Sequence, residues 1–302
     1  MRLNIGLDVG GTSSRIAAQV GTEPIWTTAS SAGNPRIVGI EHSVDVIVGL
    51  VRSALDHFNR PSGTCICAGV AGAAAPEMKR SLADAIRINL NEPDTLIEVT
   101  DDATVAFEAA FKGGDGVLLI IGTGSIILAR HHRHAMRRSG GWGYLLGDEG
   151  SGYNLGRDGL RAVASALDSD TQTVLATRAA VDLDMSTREE LLAKIYGEDF
   201  RLAEFAPVVL AEAEAGDKES IGIVDNNARE LVDRLGVSCR EINARGAETV
   251  KLSGGLSQSH IYVSRIAALL KQQLPGWDVV RSGREPVEGA LWLASRMPHE
   301  SS

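Results

Sequence analysis

The stretch Asp8-Val9-Gly10-Gly11-Thr12 follows the first apolar run of the chain, Leu3–Leu7. Two similar turns come later, Gly122-Thr123-Gly124-Ser125 between two apolar runs and Ser253-Gly254-Gly255-Leu256 after a third. Each turn combines glycine with a hydroxyl or a carboxylate, and glycine permits positive φ and leaves backbone amides open to phosphate oxygens. Three such turns at separate strand ends predict a nucleotide that is held from several sides.

Composition narrows the class of protein. The 302 residues carry 44% hydrophobic and 23% charged residues, which is typical of a globular chain of two domains. A net charge of −9 argues against binding to nucleic acid or to an anionic membrane. The cysteines Cys65, Cys67 and Cys239 lack CxxC spacing, and no leader or membrane-spanning run is visible. These features predict reduced core thiols and a cytoplasmic protein.

The apolar patterns predict an α/β fold made of two related halves. Strand–strand–strand–helix–strand–helix appears in each half, and a ligand is expected between the halves. The glycine-rich turn at 112–116 predicts a domain boundary, with one domain at 1–113 and a second at 114–285. The final helix, within 286–302, is expected to complete the first domain. Residues 154–245 are predicted to be mainly helical.

The motifs of the chain resemble the actin-like ATPase superfamily of sugar kinases and BadF/BadG/BcrA/BcrD-type ATPases. Within it, they are most similar to the branch of N-acetylglucosamine and glucosamine kinases. The resemblance rests on Asp8–Thr12, Gly33-Asn34-Pro35, Asp101-Asp102-Ala103, Gly122–Ser125, Gly140–Gly143, Gly147–Ser151 and Ser253–Leu256. It implies two actin-like (ribonuclease-H-like) domains, the N-terminal one binding sugar and the C-terminal one binding nucleotide in a shared cleft.

The first turn predicts a site for ATP and Mg²⁺. Asp8 ends a strand, where a carboxylate holds Mg²⁺ directly or through water and phosphate. Gly10, Gly11 and Thr12 would then offer amides and a hydroxyl to the phosphates, as would Gly122, Thr123, Gly124 and Ser125 in the second turn. The alternative for each turn is an ordinary hairpin. Neither GxxxxGK[ST] nor GxGxxG occurs, so P-loop and dinucleotide folds have no support.

Asp102 is the candidate general base. It follows the strand pattern Thr95–Thr100 and opens a helix, so that its carboxylate would orient an attacking hydroxyl and accept its proton. The alternative is a helix N-cap, a position that Asp fills well. By resemblance, Asp101 is the cap and Asp102 is the base, and adjacent carboxylates leave this open by one position.

The resemblance also implies the remaining contacts. Sugar would be bound by Asn34, Asp102, Gly141, Trp142, Gly143 and Asp148, and the adenine or ribose by Ser253, Gly254, Gly255, Leu256 and Ser257. Trp142 has an alternative as a core packing residue. No acetyl-group pocket is identifiable, so N-acetylglucosamine, glucosamine, muramic-type sugars and glucose all stay open.

The predicted function is ATP-dependent, direct in-line phosphorylation of an amino sugar at its 6-hydroxyl. The alternatives are a kinase for another hexose, an ATPase activator of acyl-CoA reductases and a sugar-sensing regulator. The activator class needs cysteines for an iron–sulfur cluster, and the regulator needs a DNA-binding segment. The run His131-His132-Arg133-His134 is interpreted as a hairpin tip and not as a zinc site. The family often dimerises, so a homodimer stays open.

Overall fold

The computed structural model describes residues 2–61, 63–131, 135–197, 200–241 and 248–298. The strands are β1 (Leu3–Val9), β2 (Ser14–Val20), β3 (Trp26–Ser30), β4 (Thr64–Val70), β5 (Thr95–Asp101), β6 (Gly116–Ile121), β7 (Ser125–Arg130), β8 (Arg137–Gly140), β9 (Glu248–Ser253) and β10 (Trp277–Arg281). The helices are α1 (Pro35–Val38), α2 (Ile40–His57), α3 (Pro76–Leu90), α4 (Asp102–Phe111), α5 (Gly152–Asp168), α6 (Val174–Leu183), α7 (Arg188–Gly197), α8 (Ala206–Glu214), α9 (Lys218–Glu241), α10 (His260–Gln273) and α11 (Pro286–Arg296). Short 3₁₀ helices lie at Leu202–Phe205 and Gly255–Gln258.

The chain divides into two compact units. The first unit comprises Met1–Gly114 and Ser282–Ser302, and the second comprises Asp115–Arg281. Helix α11 therefore packs in the first unit, although it follows the second unit in sequence.

The first unit is a sheet covered by helices on both faces. The strand order is β3-β2-β1-β4-β5, with β1, β4 and β5 parallel and β2 and β3 antiparallel to their neighbours. Every residue of β4 is buried, as expected for a central parallel strand. Its Ile66 packs in the core formed with α2 and α3, while Cys65 and Cys67 pack with α4 and α11. Gly6 is required where α11 crosses β1, because a Cβ there would lie 2.1 Å from the Leu291 backbone N.

The second unit repeats this topology. Its strand order is β10-β9-β6-β7-β8, so both sheets place the first three strands as an antiparallel meander and add the last two in parallel. The difference lies between the third and fourth strands. The first unit has α1 and α2 there, whereas the second has the helices from α5 to α9. These helices and β6 share one apolar core. The predicted α/β fold of two related halves is confirmed.

The cysteines agree with the prediction of reduced core thiols. Cys65, Cys67 and Cys239 are free and buried. Within the described residues, no helix is both long enough and apolar enough to cross a bilayer. The predicted helical region from 154 onward is confirmed as far as Glu241, and its last residues lie outside the described part of the chain.

Candidate functional site

The first glycine turn joins β1 to β2. The Gly10 N–H donates to Ser13 O at 3.0 Å, and Gly10 O accepts from the backbone N atoms of Gly33 and Asn34 at 3.0 and 3.1 Å. Among the described residues, the N–H groups of Gly11 and Thr12 find no acceptor. Neither glycine of this turn has positive φ. The expectation that this turn needs glycine for a left-handed backbone is therefore wrong. Space is the physical reason at Gly10, because a Cβ there would lie 2.9 Å from Ser13 O.

Asp8 carries a perturbed carboxyl group next to this turn. It lies near the end of β1, half-buried, directly opposite Arg15 on β2. Burial, and then the negative charge of Asp102, raise the pKa of Asp8 to about 6; Glu285 adds to the rise and Arg15 opposes it. The fold of the first unit thus brings the carboxyl groups of Asp8 and Asp102 close together. Such a pair favours a bound cation.

The adjacent aspartates have different surroundings. Asp101 is the N-cap of α4, since its Oδ1 accepts from Thr104 N at 2.9 Å, and its Oδ2 accepts from Lys79 Nζ at 2.8 Å. Burial alone would raise the pKa of Asp101, but Lys79 and Thr104 together hold it below the usual value. Asp102 is the first residue of the helix and is exposed. The capping role therefore belongs to Asp101.

Asn34 lies beside the first turn through its bond to Gly10 O. It caps α1, with its Oδ1 accepting from Arg36 N at 3.0 Å. Gly72 packs closely here as well, since a Cβ on it would lie 2.6 Å from Asn34 Oδ1. The first unit therefore gathers Asp8, Asn34 and Asp102 around one turn.

The second turn, in the second unit, is held by a distant carboxylate. Ser125 N donates to Asp148 Oδ1 at 3.3 Å, and Ser125 Oγ donates to Glu149 O at 2.8 Å. Asp148 is only 7% exposed and has a left-handed φ of 61°. Burial raises its pKa; Ser125 N–H and Arg234 oppose this rise, and Glu149 adds to it. Asp148, predicted as a sugar ligand, thus lies against the predicted phosphate turn.

Close packing also explains Gly124 of the second turn, but not Gly122, where the nearest atom to a Cβ would lie 3.9 Å away. Gly122 and Gly124 have no positive φ, but a Cβ on Gly124 would lie 2.8 Å from Asp148 Oδ2. The amino end of α5 satisfies two carbonyls of the turn: Gly152 N donates to Gly122 O at 2.8 Å and Tyr153 N to Thr123 O at 3.1 Å. Among the described residues, the N–H groups of Thr123 and Gly124 find no acceptor.

Trp142 lies on an exposed loop, residues 141–148. Its side chain is 71% exposed, so the alternative of core packing is wrong. The flanking Gly141 and Gly143 have positive φ, at 68° and 82°. Tyr144, Leu145 and Leu146 are exposed as well. The loop therefore presents an aromatic and apolar apex.

The third turn follows β9. Gly254 has a φ of 91°, and a Cβ on it would lie 2.3 Å from Ile121 O, so glycine is needed for both conformation and space. Ser257 Oγ donates to Gly254 O at 2.6 Å, which ties the following 3₁₀ helix to the turn. Gly254 thus has the positive φ that was expected of the glycines in all three turns, whereas the glycines of the first two turns do not.

A pocket of about 630 Å³ brings the second and third turns together within the second unit. Its lining comprises Gly122, Thr123, Gly152, Ala203, Ala206, Pro207, Leu210, Gly255, Leu256 and Ser259. The wall from Ala203 to Leu210 is small and apolar, which suits the flat face of a nucleobase. Sequence reasoning missed this wall, because the residues carry no motif and read only as helix.

The predicted hairpin tip is described only at His131, which follows β7; His132, Arg133 and His134 lie outside the described residues. Over the part of the chain that is described, no group of three His, Cys, Asp or Glu side chains is arranged to hold a metal ion. A cation held mainly through phosphate and water needs fewer protein ligands, and the Asp8 carboxylate fits that role.

Similar proteins are known for nearly the whole length of the chain. The model of the BadF/BadG/BcrA/BcrD ATPase family matches residues 5–294. The chain is 29% identical over 303 residues to an N-acetylmuramic acid/N-acetylglucosamine kinase of Clostridium acetobutylicum, covering 97% of this chain and 98% of the relative. It is 26% identical to an N-acetyl-D-glucosamine kinase of Dictyostelium discoideum, covering 96% and 97%. A candidate N-acetylglucosamine kinase from Chromobacterium violaceum has a similar solved structure, with a TM-score of 0.77, 25% identity and coverage of 97% and 99%.

Proposed function

Because this chain belongs to the BadF/BadG/BcrA/BcrD ATPase family, whose model matches residues 5–294, we propose that it is an ATP-dependent kinase of an amino sugar. The acceptor is N-acetylglucosamine or a close relative, phosphorylated at its 6-hydroxyl. The kinase names of both curated relatives support the substrate class. The observation that carries the chemistry is the division of roles at α4, where Asp101 takes the cap and leaves Asp102 exposed near Asp8.

Each unit, taken by itself, offers groups of the kind that bind nucleotide. In the second unit, the base enters the 630 Å³ pocket and the open amides of Thr123 and Gly124 donate to phosphate oxygens. In the first unit, the open amides of Gly11 and Thr12 do the same. Mg²⁺, when bound, neutralises charge on the phosphates. We assign Mg²⁺ to Asp8, because a cation would offset the burial and the neighbouring charge that disfavour the ionised form of this carboxyl group.

The sugar is assigned to Asn34, Gly141, Trp142, Gly143 and Asp148. Asp102 orients the 6-hydroxyl and accepts its proton as the oxygen attacks the γ-phosphorus. The new P–O bond forms while the bond from the γ-phosphorus to the bridging oxygen of ADP breaks, so the products are sugar 6-phosphate and ADP. No phosphoenzyme is needed, because a positioned alcohol attacks directly.

The test is ADP release with Mg·ATP against N-acetylglucosamine, N-acetylmuramic acid, glucosamine, glucose and no sugar. We expect turnover to depend on an amino sugar, with the phosphate assigned to O6 by NMR. Asp102→Asn should lower kcat by roughly 10³-fold or more while the protein stays folded. Asp101→Asn is the matched control and should keep most activity, because Asn also caps helices well. Equal losses in the two variants would contradict the division of roles.

The ATPase-activator alternative predicts ADP release that is indifferent to every sugar. The family model also covers ATPases, which is the observation in its favour. Against it, Cys65, Cys67 and Cys239 are all buried, whereas a cluster shared between subunits needs cysteines at the surface.

A further inference from the structure

The exposed loop 141–148 is fastened at both ends to one residue, Ser125. At the start of the loop, Gly141 N donates to Ser125 O at 3.0 Å. At its end, Ser125 N donates to Asp148 Oδ1 at 3.3 Å and Ser125 Oγ donates to Glu149 O at 2.8 Å. These contacts form the base of the loop, made of Ser125, Gly141, Asp148 and Glu149. A shift of this base would move the exposed residues around Trp142.

Arg234, on α9, pairs with one end of this base and lies beside the other. Its Nη2 forms an ion pair with Glu149 Oε1, directly after the loop. Its Nη1 lies 3.1 Å from the position that a Cβ on Gly140 would take, directly before the loop. Gly140 has a φ of 76°, so the chain turns away beneath the guanidinium without a side chain in between. One guanidinium thus spans the two ends of the loop.

The surroundings make this ion pair more consequential than a typical surface pair. The Arg234 and Glu149 side chains are 27% and 25% exposed, so solvent screens them only in part. Asp148 lies next to Glu149, and Arg234 is the cation that offsets their two charges. Among the described residues, nothing donates to Glu149 Oε2. Without Arg234, two partly buried carboxylates would repel each other at the base of the loop.

We propose that Arg234 is a positioning residue, which fixes the base of loop 141–148 and through it the geometry of sugar binding. The mechanical part of the proposal stands on the contacts above. Only the identity of what the loop binds rests on the proposed function.

Limited proteolysis tests the mechanical part without reference to activity. Chymotrypsin cleaves after aromatic and leucine residues, and the apex offers Trp142, Tyr144, Leu145 and Leu146. We expect Arg234→Met to speed cleavage within the loop about tenfold at an unchanged melting temperature, because local opening has become easier. Arg229→Met is the matched control: Arg229 lies on the same helix, is exposed, and donates to Asn226 Oδ1. It should be cleaved like the wild type.

Kinetics test the consequence for the sugar. Arg234→Met should raise KM for the sugar roughly ten- to hundredfold, with KM for ATP within about twofold of wild type. Arg234→Lys keeps the charge but loses the planar fork, so its KM for the sugar should lie in between. Glu149→Gln should raise KM for the sugar as much as Arg234→Met does. The double variant should raise it no further, because both substitutions remove the same ion pair.

Cleavage rates test whether Arg234 fixes the loop, and kinetics test whether the loop affects sugar binding. Wild-type cleavage rates in Arg234→Met and Glu149→Gln would overturn the proposal. Faster cleavage with unchanged KM for the sugar would also overturn it, since the loop would then move without affecting the sugar. If wild-type protein showed no sugar-dependent turnover, the proposed function would fail. The cleavage rates would still show whether Arg234 fixes the base of the loop. If Arg234→Met did not fold, Arg234→Lys and Glu149→Gln would carry both measurements.

Discussion

The turn after β1 and the turn after β6 occupy equivalent places in two sheets of the same strand order. Each has a partly or fully buried carboxyl group whose pKa is raised mainly by burial. The carboxyl groups come from different places, however. Asp8 belongs to the strand that leads into its own turn, whereas Asp148 reaches Ser125 of its turn from 23 residues further along the chain.

This difference shows two ways to place a carboxyl group beside a glycine-rich turn. The first turn is local: the carboxylate, the glycines and the opposing Arg15 are all set by one hairpin. The second turn depends on the folding of loop 141–148, and thus on α9 through Arg234 and Glu149. We expect the first turn to tolerate changes elsewhere in the chain, and the second to be sensitive to them.

The largest effect is expected when the local carboxylate is removed. Asp8→Asn should lower kcat by roughly 10³-fold, because the charge that would hold Mg²⁺ is lost. Steady-state assays over a range of Mg²⁺ concentrations would measure this loss. High Mg²⁺ should restore little activity, because the carboxylate positions the ion. Full recovery would show instead that Asp8 contributes only to the affinity for Mg²⁺.

The same substitution should stabilise the fold at neutral pH. The pKa of Asp8 is raised from 3.8 to about 6, so the folded state opposes ionisation and stability falls as pH rises through this range. Asp8→Asn removes this cost. It should raise the free energy of unfolding by about 1–3 kcal/mol at pH 7 and by little at pH 3.5. Urea unfolding at both pH values, without nucleotide or metal, gives the comparison. A stability gain that did not depend on pH would contradict it.

The distant carboxylate should have a smaller effect on turnover. In Asp148→Asn, the amide oxygen of the new side chain can still accept from Ser125 N, so the fold of the turn is kept while the charge is lost. We expect kcat/KM for the sugar to fall roughly 10–100-fold. Asp148→Ala should additionally lower the free energy of unfolding by about 1–3 kcal/mol, because it leaves Ser125 N unpaired. Similar stability in the two variants would show that this hydrogen bond contributes little.

A pair of glycine substitutions compares the packing of the turns. Gly124→Ala should lower the free energy of unfolding by about 1–3 kcal/mol, because its Cβ would lie 2.8 Å from Asp148 Oδ2. Gly11→Ala should cost less than about 1 kcal/mol, since its nearest contact is the flexible end of Ile37 at 3.3 Å. Thermal or urea unfolding measures both. Equal costs would mean that the second turn adapts as easily as the first.

The smallest effect is expected at Asp101, whose pKa shift has the opposite sign to that of Asp8. Its folded-state pKa is lowered, so its stabilising contribution is present above the unfolded-state pKa and is lost as pH falls. Asp101→Asn keeps the cap but loses the ion pair with Lys79, and should cost about 1 kcal/mol or less at pH 7. The cost should shrink as the pH falls below 3.8, the ordinary pKa of Asp, as urea unfolding can show.

Local patterns predict the first unit closely. The sequence predicts strands at Ser14–Val20 and Thr64–Val70 from their short apolar runs, and the structure has strands with these bounds. The sequence also predicts a capping box before α7 at Ser186 and Glu189, and the structure places it one residue later. Thr187 Oγ1 accepts from Glu190 N, and Glu190 Oε2 accepts from Thr187 N. Both positions offer a hydroxyl and a glutamate three residues apart, so composition alone could not choose between them.

Features that depend on distant parts of the chain were not predictable. Strand β8, Arg137–Gly140, has two arginines and a glycine in four residues, and only pairing with β7 makes it a strand. Pocket residues such as Ala206 and Leu210 are ordinary helical residues until the fold places them beside Gly255. Arg234 carries no motif either, since its role comes from a contact with Glu149 across 85 positions.

The return of the chain to the first unit has a consequence for biosynthesis. Helix α11 covers Cys65, Cys67 and Val105, and its N-cap residue Glu285 pairs with Arg15 opposite Asp8. Until α11 has been synthesised and packs here, the first unit has one uncovered apolar face and lacks the Glu285–Arg15 ion pair near Asp8. The first unit therefore finishes folding only after the second unit has been synthesised, and until then its face at Cys65, Cys67 and Val105 is open to wrong contacts.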